Sequence, residues 1–126
     1  MRKQILDTNV LLRFLVGDNE KQQKTASYWF KEAEQRKRKI VIIPLIIAEA
    51  CFVLESFYKK QRKEIADTLE VFLAQRWLEV EQREVLLSLW LWYRQGLHFV
   101  DSFLLAWVRV NKAGLLSFAK VLLEKV

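Results

Sequence analysis

Glycine, proline, cysteine and histidine are all scarce in this 126-residue chain, which contains three Gly, one Pro, one Cys and one His. So few glycines and prolines leave little room for long loops or a flexible linker. Cys51 has no cysteine to pair with inside the chain, which fits the reducing conditions of a cytoplasm. The absence of a Cys pair and of a glycine-rich phosphate loop argues against a zinc site and against the common nucleotide-binding motifs.

Long apolar runs are lacking as well. The run 40–48 ends at Glu49, far short of the roughly 20 residues that a membrane span requires. The apolar run at the N-terminus is interrupted at Asp7, so it does not have the form of a secretory signal. We therefore expect a cytoplasmic protein that makes no contact with a membrane.

The chain has the length of one compact domain, and we predict a single domain over 1–126. Short β-like runs alternate with longer helical patterns, which is typical of an α/β fold with a parallel sheet. The predicted strands are 2–6, 40–43, 77–80 and 115–118. The predicted helices are 9–16, 20–37, 44–58, 62–75, 82–95, 99–112 and 119–125. Pro44 suits a first helical turn, and Asp18 and Asn19 can cap the helix that follows them.

The predicted helix 82–95 has an apolar band wider than the stripe that usually faces one core. Such a band is either enclosed by its own domain or offered to another chain. Trp90 and Trp92 are therefore where we would look for the contact of a homodimer.

Positive charge dominates the sequence, with a net charge of +6, and it is concentrated in two runs at 36–39 and 59–63. A basic protein of this kind favours polyanionic partners, and nucleic acid leads among them. We predict substrate contacts from five residues in or near these runs: Arg13, Arg38, Lys39, Lys60 and Arg62. The alternative is that the runs are solvated helix ends, where cations complement the helix dipole.

Three widely separated carboxylates, Asp7, Glu49 and Asp101, each interrupt an apolar stretch. Burying unpaired carboxylates is costly, and a bound cation would remove that cost. Asp7 follows what we predict to be a buried central strand, at the edge where open α/β sheets gather their ligands. Carboxylates are the ligands that Mg²⁺ and Mn²⁺ prefer, and such an ion can activate water against a phosphodiester.

Each acid also has an ordinary structural explanation. Asp7 can cap the following helix, although Thr8 or Asn9 could do so instead. Glu49 can pair with a distant cation such as Arg13. Asp101 can complement the dipole at the start of its helix.

Four segments in order along the chain, Leu6–Arg13, Ile47–Ala50, Phe99–Ala106 and Leu116–Lys120, resemble the motifs of a PIN domain, in particular those of VapC-like toxins. The resemblance implies a three-layer α/β/α fold with a short central parallel sheet. It implies an endoribonuclease that uses Mg²⁺ or Mn²⁺, cleaves an RNA substrate, forms a homodimer and is neutralised by an antitoxin protein. Carried over by position, Asp7, Glu49 and Asp101 are the catalytic and metal-binding acids, with Asn9 and Ser117 in support.

The fourth acidic position of the family is occupied here by Ala119. The missing carboxylate implies weaker metal binding and an impaired nuclease. The alternative is a catalytically inactive PIN-fold module that binds RNA or a peptide. A nuclease acting on DNA flaps would share the same acids.

Overall fold

The computed structural model describes all of residues 1–126, and these divide into two compact units. Unit 1 comprises Met1–Lys59 and Gln75–Glu81, and unit 2 comprises Lys60–Ala74 and Gln82–Val126. Unit 1 contains β1 (Lys3–Ile5), α1 (Thr8–Val16), α2 (Glu20–Glu34), β2 (Lys39–Ile42), α3 (Pro44–Ser56) and β3 (Glu79–Val80). Unit 2 contains α4 (Arg62–Leu73), α5 (Arg83–Ser88), α6 (Trp90–Arg94), α7 (Phe99–Asn111) and α8 (Lys120–Leu123). The single domain over 1–126 stays a prediction.

The sheet of unit 1 has three parallel strands in the order β1-β2-β3, as the α/β prediction requires. In its register, Ile5 pairs with Val41 and Ile42 pairs with Val80. The last three residues of β2 are buried, because this strand has a neighbour on each side. The predicted α/β class is confirmed.

The prediction that the first strand is buried and central is wrong. All three residues of β1 are exposed, and Ile5 retains 64% of its accessible surface. The reason is topological, since β1 pairs with β2 along one edge only. The central strand is β2, and Leu6, just beyond β1, is the first buried residue of the chain.

Local capping fixes several helix boundaries in unit 1 where the sequence predicts them. Asn19 is the N-cap of α2, and its side-chain oxygen accepts a hydrogen bond of 3.0 Å from the Gln22 amide. Pro44 begins α3, where a missing N–H costs no helical hydrogen bond. Gly17 ends α1 at φ 73°, a left-handed conformation that glycine adopts without strain.

The predicted helix 82–95 is divided in unit 2 into α5 and α6, with Leu89 between them. Of its apolar band, Trp90 is fully buried and Trp92 is only 5% exposed, whereas Leu91 remains 51% exposed. The two rings pack against neighbours in the same unit: Trp90 lies edge-on to Tyr93, and Arg109 lies 4.6 Å over the ring of Trp92. These tryptophans are therefore not the dimer surface that the sequence indicated.

The predicted strand at 115–118 is wrong. These residues form no strand, and the side chains of Leu116 and Phe118 are fully exposed. An alternating apolar pattern forms a strand only where another strand supplies hydrogen-bond partners, and the sheet ends at β1 and β3. None of the helices combines the length and apolar character needed to cross a membrane.

The Glu79 carboxylate forms ion pairs that connect the amino ends of the three strands. Lys3 and Lys39 are register partners on adjacent strands, and Glu79 of β3 pairs with both, at 2.9 Å and 3.2 Å. Without Glu79 the two lysines would place like charges side by side, which is unfavourable. The hydrogen bonds from Lys3 and then Lys39 hold the pKa of Glu79 below its ordinary value.

We predict that Glu79→Gln lowers the free energy of unfolding at neutral pH and that its deficit disappears in acid. Because the folded-state pKa of Glu79 is depressed, its contribution is present above the unfolded-state pKa and is lost as pH falls through the folded-state pKa. Urea unfolding of the wild type and the variant across acidic and neutral pH measures this difference. Glu34→Gln, at an exposed acid without an ion pair, is the matched control. If the loss of unfolding free energy in Glu79→Gln stayed constant with pH, the ion-pairing role of Glu79 would be contradicted.

Candidate metal and nucleic-acid site

Asp7 lies just beyond the carboxyl end of β1, at the N-cap position of α1. Its main-chain oxygen accepts the Val10 and Leu11 amides at 3.1 Å and 3.4 Å, whereas its side chain makes no capping hydrogen bond. Thr8 and Asn9 lie inside the helix and are not its cap. The Asp7 carboxylate is exposed and has no cationic partner, so it remains available to a ligand.

Glu49 lies in the second turn of α3, and its side chain is exposed. The cost of burying an unpaired carboxylate, from which the sequence predicted a bound cation, therefore does not apply to Asp7 or to Glu49. Two apolar neighbours on the same side of the helix are also exposed, Leu45 at 73% and Phe52 at 69%. Glu49 thus presents a carboxylate within an exposed apolar surface of unit 1.

The suggested pairing of Glu49 with Arg13 is wrong. The Arg13 guanidinium donates to Asp18 at 3.3 Å, to the Tyr58 hydroxyl at 3.1 Å and to Gln22 at 2.8 Å. Tyr58 in turn donates to Asp18 at 2.7 Å, and this hydrogen bond holds the pKa of Asp18 below its usual value. The same contact raises the pKa of Tyr58. Arg13 therefore ties the end of α1 to Asp18 and to Tyr58, and Glu49 is left without a cation.

Asp101 lies in unit 2, in the first turn of α7, where the helix dipole favours a negative charge. It is half-buried, above Leu105 one turn further along the helix, and it forms no ion pair. The structure contains no group of three or more His, Cys, Asp or Glu side chains placed to hold a metal ion. A shared metal site of Asp7, Glu49 and Asp101 stays a prediction.

Ser117 and Ala119 have local roles at the start of α8. Ala119 is the N-cap residue of this helix and has no side chain able to cap it, and the Ser117 hydroxyl accepts a hydrogen bond of 2.9 Å from the Ala119 amide. The predicted helix 119–125 is present as the shorter α8, which follows directly after Ala119. Aspartate is a favourable residue at an N-cap, whereas alanine is among the least favourable.

Two adjoining clefts of unit 1 are lined in part by α1. One, of about 220 Å³, is lined by Asp7, Gln4 and Arg38, and the other, of about 370 Å³, by Asn9, Arg13 and Lys21. Val10 and Trp29 line both. Trp29 is not among the site residues predicted from the sequence. The helical pattern of α2 could have indicated it, because the buried face consists of Ala26, Phe30 and Ala33 and Trp29 lies at the edge of that face.

The basic residues predicted to contact substrate are mostly engaged within the protein. Arg38 pairs with Glu32 at 2.8 Å, donates to Gln4 at 2.7 Å and lies 5.8 Å from the Trp29 ring centre. Lys39 pairs with Glu79, and Lys60 lies 4.0 Å from Glu64 in an exposed pair. A role in substrate binding stays a prediction for these residues.

Arg62 has a structural role in unit 2. Its guanidinium donates to the main-chain oxygens of Tyr93, at 3.0 Å, and of Leu97, and lies 4.5 Å over the Tyr93 ring. These contacts fix the end of α6 and the residues that follow it. A planar guanidinium can stack and donate at once, which a lysine ammonium cannot do in the same way.

Comparison with known proteins adds to this geometry. A family model described as PIN domain matches residues 5–125. The chain belongs to the PIN domain family. This PIN domain is 36% identical over 77 residues to a VapC ribonuclease of Aquifex aeolicus (strain VF5), an alignment that covers 61% of this chain. The aligned part spans 56% of the length of that relative. No solved structure matches the chain.

The family match confirms the resemblance and the fold predicted from the sequence. Asp7, Glu49 and Asp101 all lie within the matched range, as do Asn9 and Ser117. In the PIN domain Asn9, Glu49 and Asp101 lie in α1, α3 and α7. Asp7 is the N-cap of α1, and Ser117 lies before α8.

We predict that Arg62→Lys lowers the free energy of unfolding by about 1–2 kcal/mol, because the conservative change loses stacking and part of the hydrogen bonding to two carbonyls. Urea unfolding measures this loss. Lys63→Gln, at the next, exposed residue, should leave stability unchanged. If Arg62→Lys left the free energy of unfolding at the wild-type value, the structural role would be wrong.

Proposed function

We propose that this PIN domain is a Mg²⁺- or Mn²⁺-dependent endoribonuclease and the toxin of a toxin–antitoxin module. The observation that carries the proposal is the family match across all three acid positions, each of which is free of a cationic partner in the structure. Similarity to a VapC ribonuclease supports RNA as the substrate. The net charge of +6 suits a polyanion.

The residues present have the donor chemistry of a hard divalent ion. Mg²⁺ often needs only one or two protein carboxylates, because water and substrate phosphate oxygens complete its coordination. Asp7 and Glu49, both exposed and unpaired in unit 1, would hold the ion, and Asp101 would supply the third carboxylate. The bound ion would activate a water molecule and neutralise charge at the scissile phosphate.

The chain's own polar groups would orient the substrate. The Asn9 amide, exposed in the first turn of α1, can donate to a phosphate oxygen at the entrance of the larger cleft. Lys21 lines the same cleft and has no acidic partner, so its charge is available to the RNA backbone. Trp29, half-buried between the clefts, offers ring surface to a base.

An antitoxin protein would act by covering the acids. The exposed side chains of Leu45 and Phe52 flank Glu49, and a peptide that buries this apolar surface would also close access to the carboxylate. We propose a homodimer by the family resemblance, with a contact surface other than Trp90 and Trp92. A cytoplasmic location is consistent with Cys51, which is buried and, as the only cysteine, forms no disulfide within the chain.

The second proposal is a catalytically inactive module that binds RNA or a peptide through the same fold. Ala119 favours it, because the side chain at the start of α8 supplies neither a carboxylate nor a helix cap. Such a module would bind RNA equally well with and without a divalent ion.

We predict that Ala119→Asp raises RNA cleavage in Mg²⁺ or Mn²⁺ by about tenfold or more, since it restores a carboxylate to the site. Aspartate would also cap α8, so stability alone could raise activity. Ala119→Asn is the matched control, because asparagine caps a helix equally well and brings no charge. Gel analysis of a labelled RNA measures cleavage.

Asp7→Asn in the Ala119→Asp background should abolish this cleavage, which excludes a contaminating nuclease. Equal gains from Ala119→Asp and Ala119→Asn would assign the effect to helix capping. No cleavage of any RNA by the Ala119→Asp protein would count against the nuclease proposal and favour the binding module.

We also predict that Mn²⁺ binds the protein and that Asp7→Asn weakens its affinity by about tenfold, because one of few protein ligands is lost. Isothermal titration calorimetry with Mn²⁺ alone, without RNA, measures this affinity. Glu34→Gln removes an exposed, unpaired acid elsewhere in unit 1 and should leave the affinity unchanged. Equal affinities for wild type and Asp7→Asn would exclude Asp7 as a ligand.

A further inference from the structure

A cavity of about 280 Å³ in unit 2 gathers positive charge from two separate elements. Arg109 and Lys112 come from the end of α7, and Lys125 comes from the segment after α8. None of the three forms an ion pair, and no Asp or Glu side chain lines the cavity. No acidic side chain compensates this cluster, although Val126, the last residue of the sequence, also lines the cavity.

Helix-dipole complementation explains only part of this arrangement. Cations in a last turn are favourable, and this accounts for Arg109 and Lys112. It accounts for Lys125 only weakly, because α8, whose C-terminal end precedes this lysine, has four residues and a correspondingly small dipole. The main-chain oxygens of Val108 and Arg109 accept the cap amides of Ala113 and Lys112, at 3.0 Å and 3.4 Å, so the helix end is already satisfied. Convergent cations without a counter-charge repel one another, and an anion in the cavity would relieve that repulsion.

Buried apolar side chains also line the cavity. Trp92, Leu105 and Val108 line it and are all buried. The Arg109 guanidinium lies 4.6 Å over the Trp92 ring, which helps to hold its position at the lining of the cavity. A flat cation held in place can donate two hydrogen bonds to phosphate oxygens, and the flanking lysines can act as point charges.

We infer that this cavity is a phosphate-binding subsite for the backbone of single-stranded RNA. The choice of RNA over free phosphate rests on the proposed function. The position on α7 supports it, since Asp101 lies at one end of this helix and Arg109 about 12 Å along its axis. At about 3.4 Å per stacked nucleotide, that interval corresponds to roughly three or four nucleotides between Asp101 and the subsite.

The test measures binding, not cleavage, so that it does not depend on the metal. Fluorescence anisotropy of a labelled RNA of about 12 nucleotides is recorded in EDTA, from about 50 to 200 mM salt. Lys112→Gln combined with Lys125→Gln should weaken affinity about tenfold and reduce the slope of log K against log salt by about 1.4, or about 0.7 per lost phosphate contact. Both lysines are exposed, and thermal unfolding confirms that the variant folds.

Lys31→Gln combined with Lys63→Gln is the matched control, since both are exposed and unpaired and remove the same charge. It should leave the salt slope at the wild-type value. The subsite would be overturned if the Lys112/Lys125 variant kept the wild-type RNA affinity and salt slope. It would also be overturned if that variant and the control lost the same amount of RNA affinity, or if the protein did not bind RNA.

A second measurement locates the ligand without any substitution. Amide resonances of Lys112 and Ala113 should shift on titration with the RNA in EDTA. Shifts with inorganic phosphate alone, and none with RNA, would assign the cavity to free phosphate and overturn the RNA inference. If the RNA shifts these resonances but the Ala119→Asp protein cleaves nothing, the subsite stands and the nuclease proposal fails.

Discussion

The hydrogen bond of 3.0 Å from the Leu6 amide to the Val41 carbonyl extends the pairing of β1 with β2, and the position of Asp7 depends on it. β1 has three exposed residues and contributes little burial of its own. It is held by its register with the buried strand β2. Because the two strands are parallel, α1 and α3 begin at the same edge of the sheet, and each carries one of the predicted acids. A shift in this register would move Asp7 relative to α3.

Local chemistry made part of this arrangement predictable from the sequence. The Asn19 cap, Pro44 in a first turn, and Asp101 at a helix start each depend on interactions within a few residues, and the structure has all three. The place of β1 in the sheet depends on which strands pair, which the local pattern does not specify. The same limit explains the wrong strand at 115–118. Its alternation of apolar residues was real, but no strand lies beside it.

For the charged residues, too, the sequence predicts what depends on near neighbours and does not predict what depends on distant partners. The sequence locates the basic runs, yet which cations remain free depends on partners far away along the chain. Lys39 pairs with Glu79, forty positions later, and Arg13 binds Tyr58. Conversely, Arg109 and Lys125, which no run in the sequence marks, line one cavity without a counter-charge. The net charge predicts an anionic partner, and tertiary pairing selects the residues that can meet it.

Exposure of the acids changes the physical argument for a metal. A buried group of carboxylates would need a cation in order to fold, whereas Asp7 and Glu49 are exposed to solvent and carry no such requirement. A metal held at hydrated carboxylates gains less from electrostatics than one in a dry site, because water screens the charges. Its affinity therefore rises when phosphate oxygens complete the coordination sphere and the substrate excludes water. Under the proposed function, metal and RNA would therefore bind cooperatively, and without a fourth carboxylate at Ala119 the protein would depend more on the substrate to retain the ion.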